Sequence, residues 1–503
     1  MIFSYHFLPI SMFEEPNINY NKERKFKEEI IMYDIIIIGA GIVGTMLAKD
    51  LSQYRCKVAV IEKENDIANG ATMANSAIVH TGYDPEDHTL KAKLNVEGAR
   101  MYEQLCKDLA CKYKQVGAFV VACDKEEEER LLVLEKRAIE RNIPYEWLSG
   151  EEARSKEKNL SLNITKALNF YTTAIIYPWQ VACGCMEVAM DNGVELYLNH
   201  EVTAIEKREG SYLISTTKGT FETKHIINAS GISADKIHRM VDADCSYTMR
   251  PRKGEYYVLD NDIHYVDHII FPVPSSKGKG VLAVPTVYGN TLLGPDAEES
   301  EDTGTSSKGL SYVKENIQKT MMNVPFHKVI RTFAGLRPSS TSKDFIIEEV
   351  NGCKGFIDVA SIESPGLASA PAISKYVIEQ FLKDMMLEKN ASAIKTRKKP
   401  IVMAELTSEE RDAVIRENPL YAKIICRCES ISEGEIIDCI HRNCGARSVK
   451  GVKKRVRPGM GRCQGGFCEP RVVNILAREL GISVLDVVLD SEDSKILTQE
   501  NRI

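Results

Sequence analysis

Four cysteines late in the chain stand in two close pairs, Cys426-Arg427-Cys428 and Cys463-Gln464-Gly465-Gly466-Phe467-Cys468, with 34 residues between the pairs. Four thiolates so spaced can hold either an iron–sulfur cluster or zinc. Zinc ribbons usually use C-x2-C knuckles, whereas these pairs are C-x-C and C-x4-C. Near the other end, Tyr33 to Gly44 read YDIIIIGAGIVG, an apolar run entering a Gly-x-Gly-x-x-Gly turn. In such a turn Gly39 permits the tight bend and Gly41 lets backbone approach a pyrophosphate. Gly44 lets the following helix pack closely on the strand. Glu62, 18 residues beyond Gly44, ends the next apolar run, where a carboxylate can bind a ribose diol and would repel a 2′-phosphate. FAD and NAD share this arrangement. A two-electron nucleotide cofactor with a one-electron cluster points to a redox enzyme.

Positioning these groups requires a βαβ unit, and the pattern supplies one: strand Tyr33–Ile38, helix Ile42–Gln53 and strand Lys57–Glu62. Helical periodicity follows over Leu90–Lys112, Lys125–Arg141 and Pro178–Asn192, and strand-like runs over Glu195–Tyr197, Ser211–Thr216 and His225–Asn228. Residues 251–340 mix strand pieces with Gly and Pro turns. Pro371 is expected to open a helix running to about Lys383, and the basic stretch Lys389–Pro400 reads as linker. Ser432 and Glu435 form a capping box for a short helix ending near Asn443. The glycine-rich loop around Cys463 lets backbone N–H groups point at sulfur, and Pro470 begins a helix whose N-terminus lies beside Cys468. Both devices favour anionic thiolates. Cys439 and Cys444 read as structural. Arg252, Lys253 and Glu255, in RPRKGEYY, either line a pocket or form an exposed charged strand edge.

With 503 residues, 44% hydrophobic and 27% charged, the chain should fold into two to four units. A net charge of −6 gives no electrostatic case for nucleic acid. The longest apolar run, Ile35–Ile38, is far below membrane-spanning length. Residues 1–31 read as an N-terminal extension lacking the basic region of an export signal. The fourteen cysteines are then reduced thiols of a cytoplasmic protein.

Three later segments return to nucleotide-type turns: NGATMANSAIVHTGY (Asn69–Tyr83), KHIINASGISAD (Lys224–Asp235) and ESPGLASAPAISKYV (Glu363–Val377). This interrupted order resembles the D-amino-acid oxidase-type FAD superfamily over about residues 32–385. The resemblance implies FAD, and an α/β (α+β) fold in which a Rossmann-like FAD-binding domain carries an inserted substrate domain. The implied division is 32–388 for the oxidoreductase domain, with FAD parts near 32–100, 171–250 and 340–388 and substrate parts near 101–170 and 251–339. A linker at 389–420 and a small helical [2Fe–2S] domain at 421–490 follow. Asn75 and Ser76 match positions near the pyrophosphate, Gly231 lies in a second cofactor turn, and Gly366 with Leu367 begins the helix facing the flavin N1/O2 edge. His80 matches a position near the flavin ring, as general base, hydrogen-bond partner or structural histidine. Arg337, in FAGLRPSS, resembles the substrate-anion arginine of related dehydrogenases. Its planar fork suits a carboxylate or phosphate. Arg252 and Lys253 are the other candidate substrate contacts.

The cysteine module resembles the bacterioferritin-associated-ferredoxin-like (BFD-like) [2Fe–2S] domain, which implies Cys426, Cys428, Cys463 and Cys468 as ligands. Both parts together resemble the family of anaerobic glycerol-3-phosphate dehydrogenase large (A) subunits. That implies FAD-dependent oxidation of sn-glycerol 3-phosphate to dihydroxyacetone phosphate, with His80 and Arg337 catalytic. NSAIVHTGYDPEDHTLKAKL also resembles L-2-hydroxyglutarate dehydrogenases, and amine- or imino-acid-oxidising relatives carry the same cysteine module. A 2-hydroxyacid, an amine or a non-catalytic electron-transfer role therefore stay open. With no second nucleotide fingerprint and no membrane span, electrons should pass to a second redox subunit. Any membrane association would come through such partners. Arg455, Arg457 and Arg462 either steer an acidic partner or balance the cluster's charge.

Overall fold

The computed structural model describes residues 31–274 and 280–499. The expected N-terminal extension therefore lies outside the described residues, apart from Ile31. Strand Met32–Ile38 runs into helix Ile42–Leu51 and then strand Val58–Ile61, the βαβ unit expected. Parallel pairing continues outward on both sides. Glu195–Tyr197 joins Val58–Ile61, while Thr220–Asn228 joins Met32–Ile38 and is joined in turn by Phe356–Ala360. Ile35, Ile36 and Ile37 are fully buried, because both faces of a parallel sheet are covered. Each such side chain contributes about 1.5–3 kcal/mol by leaving water.

Four of these strands end beside a candidate cofactor residue: Ile38 before Gly39, Ile61 before Glu62, Asn228 before Gly231, and Ala360 before Gly366. Ligands of open α/β sheets bind at the carboxyl ends of the strands, so segments more than 300 residues apart in sequence meet there. A surface cavity of about 680 Å³ lined by Asp34, Lys224 and Glu388 lies at the opposite, amino ends, away from this chemistry.

A second, nine-stranded sheet takes strands from 118–169 and from 252–337, stitched together by the parallel pair Ala118–Ala122 and Ile269–Pro272. Within it Arg252–Leu259 lies antiparallel to Val329–Arg337, with Arg252 opposite Arg337, Gly254 opposite Gly335 and Tyr256 opposite Phe333.

The helix expected to open at Pro371 begins at Gly366 and runs to Phe381 with Pro371 inside it. Proline deprives the carbonyl four residues back of its helical donor. Here that carbonyl belongs to Leu367, and the Tyr102 hydroxyl donates to it instead. The stretch expected as linker is also more ordered than its composition suggests. Ser408–Glu417 is a helix with a Thr407–Glu410 capping box, and the Arg397 guanidinium is buried against Glu187. Beyond it, helices Glu433–His441, Val449–Val456 and Glu469–Leu480 pack around their own apolar core. The Ser432–Glu435 capping box is present.

Candidate functional site

The glycine turn separates three physical roles. Gly39 has φ +103°, and a Cβ there would sit 2.6 Å from the Ala229 carbonyl oxygen. At Gly44 a Cβ would sit 1.9 Å from the Gly39 oxygen. The fold itself therefore demands these two glycines. At Gly41 a Cβ would meet only Thr72 Oγ1, at 3.5 Å, so this glycine borders open space that a cofactor backbone can use. The helix starting at Ile42 has no side-chain cap and no acid in its first turn, which leaves its positive end for an anion. Thr72 Oγ1 accepts from the Ile42 N–H at 2.9 Å and fastens the loop 69–77 over the turn. Glu62 accepts from the Ala40 and Glu64 N–H groups at 2.7 and 3.0 Å, and burial pushes its carboxyl up against the pull of those amides.

Asn75 shapes the same loop: its amide donates to the Ala71 and Thr72 carbonyls and its oxygen accepts from Ala77 N–H. Gly231, at φ +61°, makes the second turn after Thr220–Asn228. The helix at Gly366 and Leu367 also lacks a side-chain cap and an acidic first turn. Gly98 lets helix Leu90–Asp108 approach it, since a Cβ would lie 2.3 Å from the Ala368 carbonyl. Two helix N-termini, an amide-held carboxylate and glycine-lined open space fit a flavin dinucleotide.

Beyond this cradle, strand Val329–Arg337 leans on the loop so closely that a Cβ on Gly335 would be 2.2 Å from the Ala74 oxygen. Arg337 stands on the same face. Its guanidinium donates to the Lys253 and Asp296 carbonyls at 3.2 and 3.1 Å, and among the described residues it makes no ion pair. The buried Tyr256 hydroxyl hydrogen-bonds with Arg337 and Ser76; burial raises its pKa while those two contacts oppose the rise. The space for the guanidinium comes from Gly254, where a Cβ would lie 2.3 Å from Arg337 Nη2. Buried His80 follows strand Ile78–Val79. Its ring lies 5.6 Å from Phe271, and its carbonyl accepts from Asn95 Nδ2 at 2.6 Å.

Strand alternation divides the remaining basic candidates. Arg252 shares the Arg337 face and helps hold Glu363 below its usual range, after the larger pull of Lys91. Lys253 points the other way, contrary to expectation. It is 4% exposed and pairs with the fully buried Glu255 at 3.1 Å, and Ser306 donates to that carboxylate through N–H and hydroxyl. Lys253 is thus a structural cation and reaches the pocket only through its carbonyl. Tyr256, Gly254 and Thr72 were missed in the sequence. Only the strand pairing brings Gly254 opposite the arginine strand.

The four cysteines gather two and two. Cys428 and Cys463 sulfurs lie 3.9 Å apart, and the Cys468 thiol hydrogen-bonds to Cys426. That bond, with the N–H groups of Gly459, Glu429 and Cys428, pulls the Cys426 thiol down. Among the described residues no three His, Cys, Asp or Glu side chains converge on one metal position. Two pairs instead of one tetrahedron suit a cluster of two irons better than a single zinc. Cys439 and Cys444 are buried with raised pKa values, as inert structural thiols are. Cys428 is exposed and Phe467 is 84% exposed, so the module has an open outer face. Its inner face is bound to the nucleotide domain. Arg455 forks onto Asp66 through two 2.8 Å contacts, and Lys454 reaches the same carboxylate at 3.0 Å. Arg457 pairs with Glu429 and lies 3.6 Å over the Tyr288 ring, while Arg462 pairs with Asp260 and Asp262. Arg455 and Arg457 are buried by these contacts and form no rim for a partner, whereas Arg462 stays 64% exposed beside its two carboxylates.

The FAD dependent oxidoreductase (DAO) family model matches residues 34–380. The chain belongs to this family. The BFD-like [2Fe-2S] binding domain model matches residues 424–478, and FAD and a [2Fe–2S] cluster are the cofactors. A glycerol 3-phosphate dehydrogenase of Caloramator mitchellensis is 47% identical over 474 residues, covering 93% of this chain and 98% of that protein. A glycerol 3-phosphate oxidase of Mycoplasma pneumoniae is 34% identical over 69% of this chain and 93% of that one. Among solved structures, dithionite-reduced L-alpha-glycerophosphate oxidase from Mycoplasma pneumoniae with FAD bound superposes with a TM-score of 0.71. It is 30% identical and spans 74% of this chain and all of that one. The described residues hold no helix long and apolar enough to cross a membrane.

Proposed function

We propose that this oxidoreductase converts sn-glycerol 3-phosphate to dihydroxyacetone phosphate and passes the electrons through its cysteine module to a second redox protein. The observation that carries the substrate class is Arg337: a half-buried guanidinium that meets two carbonyls and the Tyr256 hydroxyl but, among the described residues, pairs with no carboxylate, and that Gly254 gives room beside the loop 69–77. Such a group, without a carboxylate of its own, supplies a fork for the phosphate dianion. The similarity to the Caloramator dehydrogenase over nearly its whole length supports phosphate over carboxylate.

Oxidising a secondary alcohol removes a hydride from carbon and a proton from oxygen. Arg337 anchors the phosphate end, Arg252 adds positive potential on the same face, and His80 receives the hydroxyl proton. Walls from Tyr256 and the packed loop 71–77 exclude water from the reacting end. FAD, held by the Gly39–Gly44 turn, Glu62, Asn75, Ser76, Gly231 and the Gly366 helix, supplies the hydride acceptor, and the [2Fe–2S] cluster on the four cysteines supplies the one-electron outlet. The exposed side of that module, with Cys428 and Phe467, is the proposed docking face for the acceptor protein.

Assaying dihydroxyacetone phosphate formed from sn-glycerol 3-phosphate with an artificial dye as acceptor tests the reading. Turnover with L-2-hydroxyglutarate or an amino acid, but not with sn-glycerol 3-phosphate, would replace it.

A further inference from the structure

A second concentration of positive charge lies away from Arg337, where the cysteine module meets the far end of the same strand. A cavity of about 180 Å³ is lined there by Arg331, Lys450, Lys453, Gln464, Cys468 and Glu469. Arg331 sits six residues before Arg337, on the same strand face. Lys450 and Lys453 stand on helix Val449–Val456. Lys450 has a partner, Asp490. Arg331 and Lys453 make no ion pair among the described residues, and the one carboxylate in the wall is Glu469.

The backbone of the wall reinforces the charge. The twelve-residue helix Glu469–Leu480 starts at the same wall, adding its positive end. Of the four cluster cysteines only Cys468 borders the cavity, so thiolate charge offsets this potential from one side alone. The volume holds a tetrahedral oxyanion with a few waters of ~30 Å³ each.

We propose that this cavity is a binding site for a phosphoryl dianion, as inorganic phosphate or as the phosphate of a small monoester, clamped between Arg331 and Lys453. It is separate from the substrate site and independent of the substrate assigned there. A dianion in it would join the strand that carries the substrate arginine to the module that carries the cluster.

The test is equilibrium dialysis of radiolabelled inorganic phosphate against the anaerobically purified holoenzyme, in chloride buffer and on an Arg337→Gln background that silences the substrate site. About one phosphate per chain should bind saturably. Arg331→Gln and, separately, Lys453→Met should each weaken binding by about tenfold or more, as loss of one charge-assisted contact does. Arg331 is exposed, so its variant should keep FAD and cluster spectra unchanged even if Lys453→Met does not fold. Displacement of label by sn-glycerol 3-phosphate would identify a monoester as the better ligand, and failure to displace would identify free phosphate. No saturable binding, or binding indifferent to Arg331→Gln, overturns the proposal and leaves these cations as counter-charges of the cysteine module.

Discussion

Replacing Asp66 with asparagine should detach the cysteine module from the flavin domain at a cost that can be set from the structure. Asp66 is 3% exposed, and its two oxygens accept from both Arg455 Nη atoms, from Lys454 Nζ and from the Ile67 N–H. Arg455 and Lys454 side chains are themselves 3% exposed. The Asp66→Asn change would leave both cations buried with no opposing charge, and removing one partner of a buried pair costs about 3–5 kcal/mol. Acid should act on the same contact. The cations at Arg455 and Lys454 outweigh burial and hold the Asp66 carboxyl far below its usual range. Its contribution is therefore complete above the unfolded value of about 3.9 and is lost as pH falls through the lower, folded one. The assay is denaturant unfolding followed by flavin fluorescence and by cluster absorbance in parallel. In the wild type the two transitions should coincide. In Asp66→Asn the cluster transition should move to lower denaturant ahead of the flavin. Arg462→Ala, which removes a cation 64% exposed against Asp260 and Asp262, should leave both curves nearly in place. Equal, small shifts for the two variants would refute the argument that burial sets the strength of this interface.

Arg337→Ala should lower kcat/KM by the equivalent of about 2–5 kcal/mol, the loss of a charge-assisted fork, with an unchanged flavin spectrum. Gly254→Ala should raise KM more than it lowers kcat, because its methyl would meet the guanidinium 2.3 Å from Nη2; equal kinetics in the variant would remove Gly254 from the account. Anaerobically purified protein should carry about two irons per chain, and Cys463→Ser should lose the reduced-state EPR signal while retaining FAD, whereas stoichiometric zinc would contradict the cluster.

What the sequence conveyed follows the range of the interactions. The Gly39–Gly44 turn, the capping box at Ser432 and the helix start beside Pro470 depend on neighbours a few residues away, and the spacing alone located them. The face of Lys253 depends on strand alternation within a sheet drawn from two distant segments, so composition could not separate it from Arg252. The same holds for Arg455: its charge was visible, but its partner Asp66 lies 389 residues earlier. Pro371 misled because the donor that permits it inside a helix, Tyr102, is also remote. Gly254 and Thr72 carried no motif of their own; each matters only through what a fold places opposite it.

The central claim, that one chain takes electron pairs from sn-glycerol 3-phosphate and releases them singly through the cysteines, is tested most directly by rapid anaerobic mixing with that substrate. Flavin absorbance and freeze-quench EPR of the cluster are followed in the same sample. The account predicts fast flavin bleaching followed by the reduced [2Fe–2S] signal, with the signal absent but bleaching retained in Cys463→Ser. No bleaching with sn-glycerol 3-phosphate, or rapid bleaching only with L-2-hydroxyglutarate, would contradict it.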